Sequence, residues 1–264
     1  MRKILVVFIG FGIILNSCKI AEIKKEKTEQ DHLIMSVIWY QKSAEMRALY
    51  YQGFNLAKLR LSERVPKMNL ETKKAVIVDI DETMLDNSPS EGKCIETGEG
   101  FNNENWSQWT SKSIAKALPG AVEFSRFAES LGVDVFYISN RGISEFESTL
   151  KNLQSEKFAF ADSEHLLLKE DDSSKKGRRE MVAMNYEILL LIGDNLGDFT
   201  EILDDRSINY GFDLVDQFEK EFGDKFIILP NPMYGAWEKP IYNFNRNLTE
   251  KEKYRLRKAN IISY

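Results

Sequence analysis

Five apolar runs punctuate the chain, and most of them stop on a polar cluster. Ala75-Val76-Ile77-Val78 leads into Asp79-Ile80-Asp81-Glu82-Thr83, Val133 to Ile138 into Ser139-Asn140-Arg141, and Glu187 to Ile192 into Gly193-Asp194-Asn195. His165-Leu166-Leu167-Leu168 is a shorter run, and Lys225 to Leu229 ends at Pro230-Asn231-Pro232. The first run shows no apolar/polar alternation, the pattern of a strand buried on both faces. Between the runs, Pro119-Gly120 opens an amphipathic helix reaching Leu131, with Val122, Phe124, Phe127, Ala128 and Leu131 largely on one side. Further helices are expected over Ser144–Leu153, Lys175–Met184 and Thr249–Ala259. His32 to Glu63 reads as one long helix, or two with a break near Gly53, stopped by Pro66. Its aromatics Trp39, Tyr40, Tyr50, Tyr51 and Phe54 are expected to pack against the main domain. Asp86-Asn87-Ser88-Pro89 reads as a turn and Ser90 to Asn105 as a loop, followed by Trp106 and Trp109 on a short helix.

Strands alternating with helices at this spacing predict an α/β fold, a parallel sheet with helices on both faces. Right-handed crossovers put every strand's carboxyl end on one edge. Asp79/Asp81, Ser139/Asn140/Arg141 and Asp194/Asn195 then share the edge where such sheets bind ligands.

The 264 residues are 43% hydrophobic, enough for a substantial core, and the formal charge of −5 gives no reason to expect a nucleic acid polymer as partner. The first residues stand apart. Arg2 and Lys3 precede twelve apolar residues, Ile4 to Leu15, too few to span a bilayer comfortably and suited to an export signal. Residues 1–17 are therefore expected to be a signal peptide. Cys18, directly after Ser17, resembles a bacterial lipoprotein cleavage box in which it becomes lipidated. Residues 18–31, rich in Lys, Glu and Gln, read as a tether, and 32–264 as the folded domain: a helical segment 32–66, an α/β core of about 72–234, and a helical tail 235–264. With Cys18 lipidated, Cys94 is the sole remaining thiol and no internal disulfide is expected.

Asp79 and Asp194 offer hard oxygen ligands without thiolate or imidazole companions, which suits Mg²⁺ rather than zinc. Lys175, the Ser139 hydroxyl and the neighbouring Asn140 are candidates to hold a phosphate. Carboxylates alone would repel a phosphate dianion about 4 Å away by roughly 4 kcal/mol per unit-charge pair, so cations are required beside them. With these in place Asp79 can attack phosphorus while Asp81 protonates the leaving oxygen and later takes a proton from water. That double role calls for surroundings that keep Asp81 protonated when substrate arrives.

Asp79-Ile80-Asp81-Glu82-Thr83-Met84-Leu85-Asp86-Asn87-Ser88, Ser139-Asn140-Arg141, Lys175 with Arg178, and Gly193-Asp194-Asn195-Leu196-Gly197-Asp198-Phe199 together resemble the haloacid dehalogenase (HAD) superfamily, and more narrowly the class C acid phosphatases, bacterial outer-membrane lipoprotein phosphatases. The likeness runs from about Trp39 to Glu238. It implies a HAD-like, Rossmann-type sheet with a smaller helical accessory region, and Mg²⁺-dependent hydrolysis of phosphomonoesters, often nucleoside monophosphates, through an aspartyl-phosphate. It implies Asp79 as nucleophile and metal ligand, Asp81 as acid/base with its carbonyl on the metal, and Asp194 as third ligand. Ser139 and Lys175 would hold the phosphoryl group, with Thr83 and Asp198 behind them. Lys175 is favoured over Lys176 by its Lys-x-x-Arg spacing to Arg178. Gly197 stands where an Asp is frequent in the family. Trp106, Trp109, Tyr234 and Trp237 are candidates to stack on a substrate base. The resemblance also implies an exported lipoprotein of the cell envelope, held at the outer membrane by lipid on Cys18, and admits a homodimer. Two other readings stay open: a HAD phosphotransferase or small-metabolite phosphatase on the same site, and a surface lipoprotein that binds haem or an adhesion partner. The two histidines, His32 and His165, give haem little to hold it.

Overall fold

A computed structural model describes residues 30–69 and 71–264; the expected export signal, Cys18 and most of the expected tether lie outside the described residues. In chain order the elements are α1 (Ile34–Lys42), α2 (Ala44–Arg64), β1 (Lys74–Val78), β2 (Leu85–Asp86), α3 (Ser88–Thr97), α4 (Asn103–Thr110), β3 (Lys116–Ala117), α5 (Ala121–Ser130), β4 (Val133–Gly142), α6 (Phe146–Ser155), β5 (Leu166–Lys169), α7 (Lys176–Ala183), β6 (Glu187–Gly193), α8 (Phe212–Gln217), β7 (Phe226–Ile228) and α9 (Glu250–Ala259), joined in places by 3-10 turns. The main sheet has the order β5-β4-β1-β6-β7 and every neighbouring pair is parallel. All five carboxyl ends therefore lie on one edge, with β1 central. β2 and β3 pair antiparallel as a small separate ribbon.

Because successive side chains of a strand point to opposite faces, β1 divides its apolar run between two cores. Val76 and Val78 join Val135, Tyr137, Leu190 and Ile192 beneath α2 and α5, where Tyr50, Phe54, Leu61 and Phe124 are fully buried. Ala75 and Ile77 join Phe136, Ile138 and Leu191 on the other face, against Val182 of α7 and Phe199. Phe54 packs 5.5 Å from Phe124, centroid to centroid. Truncating such a ring typically costs about 3–5 kcal/mol. Tyr40 and Tyr50 pack here as expected, whereas Tyr51 is exposed and takes a hydrogen bond from Arg47.

Two local expectations are corrected. The N-terminal helical segment breaks at Ser43, not near Gly53. Ser43 adopts an extended ψ of 138°, and its Oγ accepts the Met46 N–H, capping α2. Gly53 sits inside α2 because the helix crosses closely over the chain after β7: a Cβ there would stand 2.5 Å from Leu229 Cδ2. The stretch from Ser88 is likewise not a turn running into a loop but α3, with Pro89 in the first turn, where its missing N–H is harmless, and Gly98 closing the helix at φ 76°. Packed structure also reaches into the last residues read as tether, since Gln30 is buried and Asp31–Leu33 forms a 3-10 turn. Among the described residues no helix is long and apolar enough to cross a membrane.

Candidate active site

The carboxyl edge of the sheet gathers the polar clusters. Asp79 follows β1 directly, and its N–H still bonds to Ile192 O at 2.9 Å, so the ladder holds it in place. Asp194 follows β6, and the 3-10 turn Leu196–Asp198 brings Asp198 back over the strand end. Carboxylate oxygens of Asp79, Asp194 and Asp198 lie within 4.8 Å of one another. This approach depends on Gly193, where a Cβ would stand 2.2 Å from Asp198 Oδ2. Lys175, immediately before α7, bonds to Asp79 and sits 2.7 Å from Asp198 Oδ1.

One ammonium does not neutralise three acids in a buried site. Burial raises the Asp79 carboxyl to about 7; Lys175 opposes the rise, and Asp198 and Asp81 add to it. Asp194 is raised by the same burial and by Asp79 and Asp198, against the Asn231 amide that donates to it at 2.8 Å. Lys175 is pushed upward by Asp198 and Asp79 despite its burial. Surplus negative charge on hard oxygens is what a divalent cation relieves, and the donor set fits Mg²⁺ better than a thiolate-seeking metal. Asp198 thus belongs to the acid cluster and is in direct contact with Lys175. Thr83 Oγ1 is 3.5 Å from Asp194 Oδ1.

Asp81 lives in different surroundings. It accepts hydrogen bonds from Arg141 Nε (3.0 Å) and Nη2 (2.8 Å), Asn87 Nδ2 (2.8 Å) and Ser139 Oγ (2.9 Å). All four contacts are donors, so the structure surrounds this acid with hydrogen-bond donors from three residues, Arg141, Asn87 and Ser139. Ser139, a candidate phosphate ligand, is fully buried and spends its proton on Asp81 while accepting the Arg141 N–H. Asn140 is exposed at the lip and accepts from Arg178 Nη2 at 2.7 Å, while Arg178 also bonds to Ser139 O. The Lys-x-x-Arg spacing is explained: Lys175 faces the acids and Arg178 holds the end of β4.

Arg141 was visible in the sequence as part of a strand-end cluster but carried no assigned role. Its side chain is buried, grips Asp81 and Thr149, and lies 5.6 Å over the Trp106 ring. Asn87, Glu82 and Asn231 were also missed. Glu82 is fully buried at φ 58°, accepts the Asn87 N–H at 2.7 Å, and takes the Tyr234 hydroxyl. Adjacency to the Asp-x-Asp pair was the only sequence signal for Glu82 and Asn87; the Pro-Asn-Pro after the last strand was the signal for Asn231.

Over the acids opens a cavity of about 1000 Å³, lined by Asp79, Asp81, Lys175, Asp194, Trp106 and Tyr234 among others. Trp106 and Tyr234 therefore face the space a substrate would occupy. Trp109 does not line the cavity: its indole N–H donates to Asn87 Oδ1 at 2.8 Å and its ring packs on the core. Trp237 also lies outside the lining. Phe101, on the loop between α3 and α4 and 6.0 Å from Trp106, also lines the cavity. His165 is buried between Phe136 and Phe160 and bonds to Asp162, a packing role with no surface for haem.

Sheet topology and strand ends together define a parallel α/β protein with an acidic, cation-ready site at the carboxyl edge of its sheet. Comparison with known proteins narrows this: residues 16–237 match the model of the HAD superfamily, subfamily IIIB (acid phosphatase), and the chain belongs to that family. It is similar to the solved class C acid phosphatase from Bacillus anthracis, at 41% identity and a TM-score of 0.85 over 89% of this chain and 99% of that one. The same enzyme solved with tungstate bound matches at 41% identity and a TM-score of 0.84, covering 89% of this chain and 98% of that one. A curated relative, the stem 31 kDa glycoprotein of Glycine max, is 30% identical over 166 residues, 60% of this chain. The match spans 58% of that protein's length.

Proposed function

We propose that this protein hydrolyses phosphomonoesters, nucleoside monophosphates among them, with Mg²⁺ as cofactor and Asp79 as nucleophile. The observation that carries the reading is the cluster of Asp79, Asp194 and Asp198 with Lys175 on the floor of a cavity faced by Trp106 and Tyr234. Asp79, Asp194 and the Asp81 carbonyl would hold the metal, with Asp198 beside them. A bound divalent cation supplies neutralisation of the phosphoryl oxygens.

Lys175 draws the phosphoryl group towards Asp79. An Asp79 oxygen attacks phosphorus, the bond from phosphorus to the ester oxygen breaks, and Asp81 passes its proton to the departing alcohol. Water then attacks phosphorus, one of its protons goes to Asp81, the bond from phosphorus to the Asp79 oxygen breaks, and inorganic phosphate leaves. An incoming phosphate competes with Asp81 for the Arg141 guanidinium, which lines the cavity. That the Bacillus anthracis relative takes up tungstate, a tetrahedral oxyanion like phosphate, supports the reading. A flat base would stack on Trp106 and Tyr234, whose hydroxyl is anchored on Glu82.

The test is the mature chain from Lys19 assayed on nucleoside monophosphates and a simple aryl phosphate across pH, with and without Mg²⁺. Full turnover after exhaustive chelation removes the metal from the mechanism, and equal rates on the two esters remove base recognition. Export and lipid anchoring at Cys18 are part of the same proposal, motivated by the basic and apolar start of the chain; Cys18→Ser is expected to move the protein from the membrane to the soluble fraction.

A further inference from the structure

Glu91 is a buried acid at the edge of the cavity. It sits in the first turn of α3, is 8% exposed, and lines the cavity. Among the described residues no hydrogen bond or ion pair reaches its carboxylate. The helix N-terminus offers only partial compensation, typically about 0.3–1 kcal/mol. Burial first, and then Glu238, push its carboxyl up to about 7. Glu238 lines the same cavity but is provided for, bonding to Tyr242 at 2.8 Å and facing Arg257 and Lys253. Asp79, Asp81 and Asp194 do not figure among the charges that act on Glu91, so it stands apart from the acid cluster.

A buried carboxylate facing a cavity and lacking a donor costs free energy until something supplies one. Water in the cavity supplies a donor, but only an entering cation supplies a donor together with the opposite charge. We propose that Glu91, backed by Glu238, is a specificity determinant for the leaving-group end of the substrate and takes a cationic nitrogen on the alcohol portion of the phosphomonoester. The inference rests on the phosphomonoesterase reading above. Trp106, already under a guanidinium, and Tyr234 present further ring faces that a cation favours. The two ends of the cavity then sort charge: Lys175 and the metal site for the phosphate, Glu91 for a positive leaving group.

The test compares two isosteric esters, 4-(aminomethyl)phenyl phosphate and 4-ethylphenyl phosphate, on the mature protein with Mg²⁺, by the ratio of their kcat/KM values. Glu91→Gln is expected to lower that ratio about ten-fold, in the range of one charge-assisted hydrogen bond, while turnover of the ethyl ester stays within about two-fold of wild type. Inhibition of the wild type by benzylamine and by benzyl alcohol keeps the test independent of how the variant folds: the amine is expected to bind about ten-fold tighter. A ratio untouched by Glu91→Gln, or equal inhibition by amine and alcohol, overturns the inference alone. A wild type that hydrolyses neither ester overturns the phosphomonoesterase reading and this inference with it.

Discussion

The floor of the cavity and its rim are built by different means. Floor residues come from strand ends and are interlocked: Lys175 touches both Asp79 and Asp198, Arg141 and Ser139 both hold Asp81, and Asn231 holds Asp194. The rim comes from α3, α4 and the tail after β7, and its side chains are held at separate points: Trp106 lies under Arg141, Tyr234 is held by Glu82 and Glu238 by Tyr242, while Phe101 is 65% exposed and Glu91 has no partner among the described residues. An interlocked floor fixes the chemistry, because moving one group moves several. A loosely connected rim can change its residues one at a time, which suits the choice of leaving group.

The sharpest break of that contrast is at the nucleophile. Asp79→Asn is expected to lower kcat by at least about 10⁴-fold, the scale on which an essential nucleophile is lost, measured as phosphate release. Thermal stability should hold, since the amide removes a charge that burial disfavours. Next comes Arg141→Met, expected to lower kcat/KM by about 10²-fold through a misplaced Asp81. It should also lower stability by about 3 kcal/mol, because Asp81 and Thr149 lose a buried partner. A stable Arg141→Met enzyme with full activity would mean the floor is not interlocked. Gly193→Ala is smaller in chemistry and aimed at the metal: the new Cβ must displace Asp198, and Mg²⁺ affinity is expected to fall about 10–100-fold, read by titrating activity against the ion.

The same division governs what was legible beforehand. Short, β-branched, uninterrupted apolar runs such as Ala75–Val78, bounded by polar clusters, read as buried strands, and the handedness of the crossovers puts their polar ends on one edge, so the sheet and the floor acids followed from local pattern. What failed depended on contacts distant in sequence. The break at Ser43 needed knowledge that Gly53 is taken up by close approach to Leu229. Trp109 looked as available as Trp106 until Asn87, 22 residues away, claimed its N–H. Ser139 and Asp81 were each identified, yet their bond to one another lies across 58 residues and has no periodic signature. The contact of Asp198 with Lys175 has no sequence signature either, because spacing says nothing of how tightly a glycine lets a turn fold back.

The smallest effect sharpens the rim. Glu91 has an ordinary carboxyl value of 4.5 raised to about 7 in the folded protein. Below about pH 4.5 it is neutral in both folded and unfolded chains and contributes no penalty. Between about 4.5 and 7 the unfolded chain releases its proton first, so folded stability falls as pH rises; above 7 the whole penalty is present, about 3 kcal/mol at most for a shift of this size. Glu91→Gln lacks the titration. Its melting temperature, close to wild type at about pH 4.5, is expected to exceed it by several degrees at pH 8. Adding benzylamine at pH 8 should close part of that gap by stabilising the wild type alone. A gap that is constant with pH would mean that the Glu91 carboxylate has a partner in solution and that the rim is as fully compensated as the floor.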